Sequence, residues 1–249
     1  MTGCHPRETV IPSPSLHTCL RNSQVNFVPG EREDVPRIFA TLGNGGELVF
    51  RARVFVDFWN FQLNWNKRAG QVRADWTKVP QVLILETEKK LAAAGISGTL
   101  SLDETLVYAS YNATRDTRLK DWLDNFLDRQ PSFRVSTRAR REKDRTIHCP
   151  ECNKDHKECP SCGQEFRWAP EKGVDTAVVT DLLSLASEGA FDVAVLLSSD
   201  ADYIPAVEWV QDRGLKVVNA TWRNDGRDLA RSCWASVEID QLIPLISRD

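Results

Sequence analysis

Short apolar blocks alternate along this chain with stretches whose apolar positions recur every three or four residues. Val54-Phe55-Val56, Leu106-Val107-Tyr108-Ala109, Phe133-Arg134-Val135, Val193 to Leu197, Lys216-Val217-Val218 and Ser236 to Ile239 read as strands. The most apolar of them carry no polar face, as expected of strands covered on both sides of a parallel sheet. Between them the spacing predicts helices over Asn60 to Lys67, Pro80 to Ala94 with a stop at Gly95, Arg118 to Leu127, and Val174 to Ser187. Further helices are predicted from Tyr203 to Arg213, with Gly214 closing the end, and at the C-terminus. Alternating strands and helices predict an α/β fold in three layers, an open, mainly parallel central sheet with helices on both faces.

Residues 1–48 break this pattern. Pro6, Pro12, Pro14, Pro29, Pro36 and the cluster from Gly43 to Gly46 predict an arm that is poorly structured or packs on the domain edge. Residues 49–249 form the expected domain. Apolar residues make up 41% of the chain and charged residues 27%, ordinary values for a protein with a core. The net charge of -3 means that any affinity for phosphate has to come from a local patch. No apolar run approaches the roughly 18–20 residues that span a bilayer, and Met1 to Val10 lack a charged segment followed by an apolar one. The expectation is a cytoplasmic protein with no membrane partner.

In open α/β sheets, ligands bind beyond the carboxyl ends of the strands. Asp57 directly follows Val54-Phe55-Val56, and Asp200 and Asp202 follow the block ending at Leu197. A third contribution comes from Glu171-Lys172-Gly173-Val174-Asp175. At about 100° per residue, Asp175 falls among Val178, Val179, Leu182 and Ala186, on the face expected to meet the sheet, with Asp181 at its margin. Converging carboxylates repel one another unless some take up protons or a cation joins them, and an all-oxygen site suits Mg²⁺ or Mn²⁺. The plainer alternative is that Asp175, Asp200 and Asp202 each cap a predicted helix. Asp57, at the end of an apolar strand, has a turn as its plain alternative.

Three segments carry a family resemblance. Phe55-Val56-Asp57-Phe58-Trp59-Asn60 resembles the first motif of NYN domains, a strand ending in Asp-x-x-Asn. Glu171-Lys172-Gly173-Val174-Asp175 with Asp181 resembles the second, and Leu197-Ser198-Ser199-Asp200-Ala201-Asp202-Tyr203-Ile204-Pro205 the third. Ser199 stands where Gly is usual, and Tyr203 where Phe is usual. The resemblance implies a Rossmann-like, PIN-like fold and metal-dependent cleavage of nucleic acid, RNA more often than DNA. It further implies that Asp57, Asp175, Asp200 and Asp202 are catalytic ligands of Mg²⁺ or Mn²⁺. Asn60 and Ser198 would orient ligands or contact the scissile phosphate, Lys172 would face a phosphate or balance the acids, and Asp181 would stand behind the ligands.

The chain has seven cysteines, four of them as Cys149-Pro150-Glu151-Cys152 and Cys159-Pro160-Ser161-Cys162. Two C-x-x-C turns can aim four thiolates at one Zn²⁺ in a closed structural site, so residues 146–166 are expected to be an inserted zinc-binding hairpin. A disulfide or redox pair is the alternative. Arg138, Arg140, Arg141, Lys143 and Arg145 precede this segment, and Phe166, Arg167 and Trp168 follow it. Basic residues beside aromatics suit single-stranded nucleic acid, but Glu142 and Asp144 equally fit a solvated charged hairpin.

The leading expectation is therefore a metal-dependent ribonuclease. Two others stand beside it: a catalytically weak or inactive RNA-binding module using the zinc hairpin and basic stretch, and a metal-dependent phosphohydrolase of small phosphate esters. Against the last, Trp59 occupies the place of the second Asp that would make Asp57 a phospho-acceptor.

Overall fold

The computed structural model describes residues 41–42 and 47–248; the rest of the expected N-terminal arm lies outside the described residues. β1 (Thr41–Leu42) pairs antiparallel with the start of β2 (Leu48–Asp57), which runs directly into α1 (Phe58–Arg68). Then come α2 (Lys78–Ala93), β3 (Thr99–Asn112), α3 (Thr117–Trp122, prolonged by a wider turn over Leu123–Leu127) and β4 (Phe133–Arg140). An excursion holds β5 (Lys143–Asp144), β6 (Ile147–Cys149), β7 (Lys154–His156) and β8 (Arg167–Trp168). The second half is α4 (Val174–Ser187), β9 (Val193–Leu197), α5 (Ile204–Gln211), β10 (Lys216–Thr221), α6 (Arg227–Ser232), β11 (Ala235–Glu238) and α7 (Ile243–Ile246). Tight turns over Ala201–Tyr203 and Ile239–Leu242 precede α5 and α7.

The main sheet has the order β11-β10-β9-β2-β3-β4, and these six strands are mutually parallel. The chain winds outward from β2 through β3 and β4, then returns to β9 on the other side of β2. That reversal opens a crevice between the carboxyl ends of β2 and β9, the place where ligands bind in such sheets.

Period-two alternation sends successive strand residues to opposite faces. Val54, Val56, Val193, Val195, Leu197, Val218 and Ala220 join one core with Phe58, Phe61 and Trp65 of α1 and Val79, Leu83 and Leu91 of α2. Phe55, Ala194, Leu196 and Val217 join the other with Val174, Val178, Leu182 and Ala186 of α4 and Ala206, Val207 and Val210 of α5. Every residue of β9 is buried. The fold is thus the three-layer α/β arrangement that the apolar blocks predict.

Several elements depart from the expected boundaries. β2 begins at Leu48, six residues before the expected Val54 and inside the stretch expected to be an arm, and β10 runs on to Thr221. β3 begins seven residues before the expected Leu106, because its first part alternates exposed and buried positions instead of forming an apolar block. β4 continues to Arg140, so Arg138 and Arg140 are strand residues and not part of a linker. α6 was not expected; it has one buried residue, Leu229, and so no readable period.

Within the excursion, Lys143–Asp144 pairs antiparallel with Arg167–Trp168 and closes off the segment between them. β6 and β7 form a hairpin whose turn carries Cys149 to Cys152. A second hairpin, held by a bridge between Glu158 and Glu165, carries Cys159 to Cys162 in its turn. Among the described residues, no helix is long and apolar enough to cross a membrane.

Candidate active site at the carboxyl edge of the sheet

Asp57 is the last residue of β2, beside the crevice. It is 7% exposed. Its Oδ1 accepts from the backbone N–H of Asn60 at 3.1 Å, so Asp57 caps α1. Its Oδ2 accepts only long hydrogen bonds, from the Ser198 hydroxyl at 3.3 Å and the Tyr203 hydroxyl at 3.4 Å. Burial is the main reason its pKa rises from 3.8 to about 6; the nearby Glu171 and Asp175 add to it, and the hydrogen bonds from Asn60 and Ser198 oppose it.

β9 delivers the second group. Ser198 is buried directly after Leu197 and accepts from the backbone N–H of Asp200 at 3.2 Å. Asp200 caps the following turn by accepting from the N–H of Asp202 at 3.0 Å. Asn60 ties the two strands together: its Oδ1 accepts from the backbone N–H of Ser199 at 3.0 Å.

The third group is at the start of α4. Asp175 lies on the helical arc that meets the sheet, but the structure corrects the expectation that it is covered. It stands in the first turn, beyond the edge of the sheet, and is exposed. The helix buries Val174, Val178, Leu182 and Ala186 instead. Asp175 accepts from the Tyr203 hydroxyl at 3.1 Å.

Asp57, Asp175 and Asp200 line one open pocket of about 350 Å³, together with Asn60 and Glu171. A stripe of α1 continues the lining from Asn60 through Leu63, Asn64 and Lys67. This is helical spacing of three and four residues, a pattern that the sequence carries beyond the first motif. Glu171 and Lys67 are thus additions to the expected set. Tyr203 is another: wholly buried, with its hydroxyl between two carboxylates, it is held far above the usual range for a phenol, chiefly by burial and then by Asp57 and Asp175.

Other expected residues lie apart. Asp202 is exposed and outside the pocket lining. Lys172 is exposed and does not line the pocket either. Asp181 accepts from the Tyr108 hydroxyl at 2.8 Å and lies 3.9 Å from Arg134, with neither partner in the acidic pocket. The capping alternative also sorts unexpectedly. Asp57, which seemed to lack a helix to cap, is a cap, and so is Asp200; Asp175 and Asp202 are not.

Among the described residues, no three His, Cys, Asp or Glu side chains are gathered closely enough to chelate an ion unaided. The donor chemistry nevertheless fits a hydrated Mg²⁺ or Mn²⁺. Mg²⁺ retains several waters and is usually bound by one or two carboxylates plus substrate oxygens. The weakly satisfied Oδ2 of buried Asp57, with no ion pair among the described residues, is the kind of oxygen a cation would engage.

In each C-x-x-C turn the first sulfur is pre-organised. The Cys149 thiol receives backbone hydrogen bonds from Cys152 and Glu151, and the Cys159 thiol from Ser161 and Cys162, which hold both below the usual thiol range. The two pairs lie close together, but among the described residues no three of their sulfurs are gathered into one metal-holding group. Of the basic residues that flank the segment in sequence, Arg140 pairs with Asp116 at 2.9 Å and Arg167 with Glu165 at 2.8 Å. Arg145 lies 5.6 Å from the Trp168 ring centre.

The family model described as "NYN domain" matches residues 51–240. No curated protein matches the chain. A crystal structure of a protein of unknown function, VPA0982 from Vibrio parahaemolyticus RIMD 2210633, is similar at 17% identity and a TM-score of 0.49, over 76% of this chain and 93% of that one. A structure titled "Structural Basis for the Mechanism and Regulation of Sir2 Enzymes" aligns at 12% identity and a TM-score of 0.33, over 79% of this chain and 90% of that one. At these similarities neither structure bears on function here.

Proposed function

The chain belongs to the NYN domain family of PIN-like nucleases, and on that premise we propose that it is a metal-dependent ribonuclease. One observation carries the reading: carboxylates from three separate elements, Asp57, Asp200 and Asp175, border a single pocket at the crevice where the sheet reverses its winding.

Asp57, Asp175 and Asp200 would hold Mg²⁺ or Mn²⁺, directly or through water, with Asp202 contributing through water from the rim. The chemistry such an ion supplies is Lewis acidity, which activates water and offsets the charge that builds on a phosphodiester under attack. The chain's own residues then have separate tasks. Asn60 fixes the spacing of the two strand ends by binding Ser199. Ser198 steers Asp57 Oδ2 and receives the N–H of Asp200, which makes it a positioning residue more than a phosphate contact. Lys67, at the pocket wall, offers a cation to the incoming phosphate. Lys172 and Asp181 would act at longer range, on the approaching strand and on α4. Cys149, Cys152, Cys159 and Cys162 would bind a structural Zn²⁺ that draws the two hairpins together.

A second reading is an RNA-binding module without catalysis, in which the zinc hairpin and basic stretch hold the strand; Arg145 beside the Trp168 ring, at 5.6 Å, supports it. Labelled single-stranded RNA, single-stranded DNA and small phosphate esters, each incubated with the protein in Mg²⁺, Mn²⁺ and EDTA, separate the possibilities. Cleavage of RNA only with metal supports the nuclease. Binding of RNA unaffected by EDTA, without products, supports the module, and turnover of the esters alone supports a phosphohydrolase.

A further inference from the structure

A second cleft of about 550 Å³ shares a wall with the acidic pocket. That wall is Trp59, which lines both. The tryptophans are scattered along the sequence, yet Trp59, Trp76 and Trp122 meet around this cleft. Its volume lies within the roughly 300–1,000 Å³ typical of small-ligand sites.

The aromatic wall is rigidly placed. The Trp59 indole N–H donates to the Ser110 carbonyl at 2.6 Å, and the Arg140 guanidinium stands 5.2 Å from its ring centre. Trp76 stacks on Phe58 at 5.1 Å, and Trp122 meets Trp76 edge-on at 5.9 Å. The floor is equally defined, because Ala74 and Ser247 form an antiparallel bridge and the Arg248 N–H donates to the Arg73 carbonyl.

Besides Gln71 and Asp116, whose carboxylate is paired with Arg140 at 2.9 Å, the polar groups of the cleft are of two kinds. Gln62 and Asn66, one turn apart on α1, bond to each other through their amides at 2.8 Å. Whichever way the two amides are turned, the pair retains free donor and acceptor capacity, which suits the edge of a nucleobase. Arg73 and Arg248 are exposed cations on the lining, and among the described residues neither forms an ion pair. Aromatic faces beside free guanidinium groups are the arrangement that binds single-stranded nucleic acid.

We propose that this cleft binds one unpaired nucleobase of the substrate strand, next to the phosphate placed in the acidic pocket, with Arg73 and Arg248 receiving the adjoining phosphate. The inference rests on the nuclease reading, since that reading supplies the strand. Trp59 then acts as the divider that sets the distance between the bound base and the cleaved bond. A protein or peptide ligand would need neither the exposed arginines nor a wall shared with the acids.

The test uses a short, labelled single-stranded oligoribonucleotide and a series in which one abasic position is moved along it. Binding is measured by anisotropy in EDTA, and cleavage separately in Mn²⁺. Wild type is expected to lose on the order of tenfold in affinity when the abasic position falls at one particular nucleotide. Trp122→Ala should lose a similar factor and no longer distinguish the abasic position. Because Trp122 also packs against Phe126, the Arg73→Ala/Arg248→Ala double variant, altered only at exposed side chains, provides the second test. It should bind the intact strand more weakly, with a shallower salt dependence. Equal or absent binding across the whole abasic series, or wild-type affinity in the double variant, overturns the inference. Cleavage that proceeds without any abasic dependence removes the cleft's role and leaves the nuclease standing. Abasic dependence without cleavage keeps the base site and removes the nuclease reading.

Discussion

The Tyr203 hydroxyl donates to Asp175 Oδ1 at 3.1 Å while standing 3.4 Å from Asp57 Oδ2. One hydroxyl carries one proton, so it can serve only one of these carboxylates at a time, and the shorter contact favours Asp175. Tyr203 thus competes with any cation for the oxygens that line the pocket. Tyr203→Phe should tighten Mn²⁺ binding by about fivefold, equivalent to about 1 kcal/mol, and lower metal-free stability at pH 8 by a similar amount. Calorimetric titration with Mn²⁺ and thermal melting check the two effects; weaker Mn²⁺ binding in the variant would mean that the hydroxyl helps to assemble the site.

Stability should depend on pH through Asp57. Its pKa rises from 3.8 to about 6, so the folded state favours the protonated form. That contribution is complete below about pH 4 and is lost as the pH climbs through 6, reaching at most about 3 kcal/mol. Without divalent ions, Asp57→Asn should therefore gain on wild type in melting temperature between pH 4 and pH 8. Mn²⁺ should then stabilise wild type and not the variant. A constant difference across that range would show that Asp57 is not strained by its charge.

Gly226 holds the loop after β9 in place. Its φ is +63°, and a Cβ there would sit 2.6 Å from the Cα of Ser199 and 2.7 Å from the Thr221 hydroxyl. Gly226→Ala should cost about 3 kcal/mol and displace Ser199 and Asp200, with loss of cleavage. Gly189 has the same φ with nothing within 4 Å, so Gly189→Ala should cost only about 1 kcal/mol and keep activity. Melting and cleavage rates of the two variants, measured side by side, isolate the close approach from the backbone strain.

The cysteines should sort by reactivity. Burial pushes the Cys233 thiol up to about 12, whereas backbone hydrogen bonds hold Cys149 and Cys159 below the usual range. In chelator-treated native protein, peptide mapping after iodoacetamide should find Cys149, Cys152, Cys159 and Cys162 modified and Cys233 spared. Added Zn²⁺ should protect all four together. Protection of only one C-x-x-C pair would argue against a shared site.

How much of this was legible beforehand follows from the kind of signal. Val193 to Leu197 and Val174 to Ser187 appear where they were expected, since a fully apolar block and a long helical period depend only on local sequence. Asp57, Asp175 and Asp200 could be brought to one edge because strand ends and helix starts share that edge in a parallel sheet. The exposure of Asp175 was not legible, because helical angle gives the face and says nothing of position along the helix. In the sequence Tyr203 is only a departure from Phe; the two carboxylates on its hydroxyl come from other elements. The cleft needed α1, β3, α3 and the residue pair Ala74–Ser247 to be folded together, and no motif of the chain contains that information.

The central claim is that the carboxylates around Asp57 act through a divalent ion on a nucleic acid. Wild type and Asp57→Asn, matched in circular dichroism, should be assayed on labelled single-stranded RNA in Mg²⁺, Mn²⁺ and EDTA. The account predicts cleavage by wild type in metal alone and a loss on the order of 100-fold or more in the variant. Cleavage that survives EDTA, or an Asp57→Asn protein as active as wild type, would contradict it.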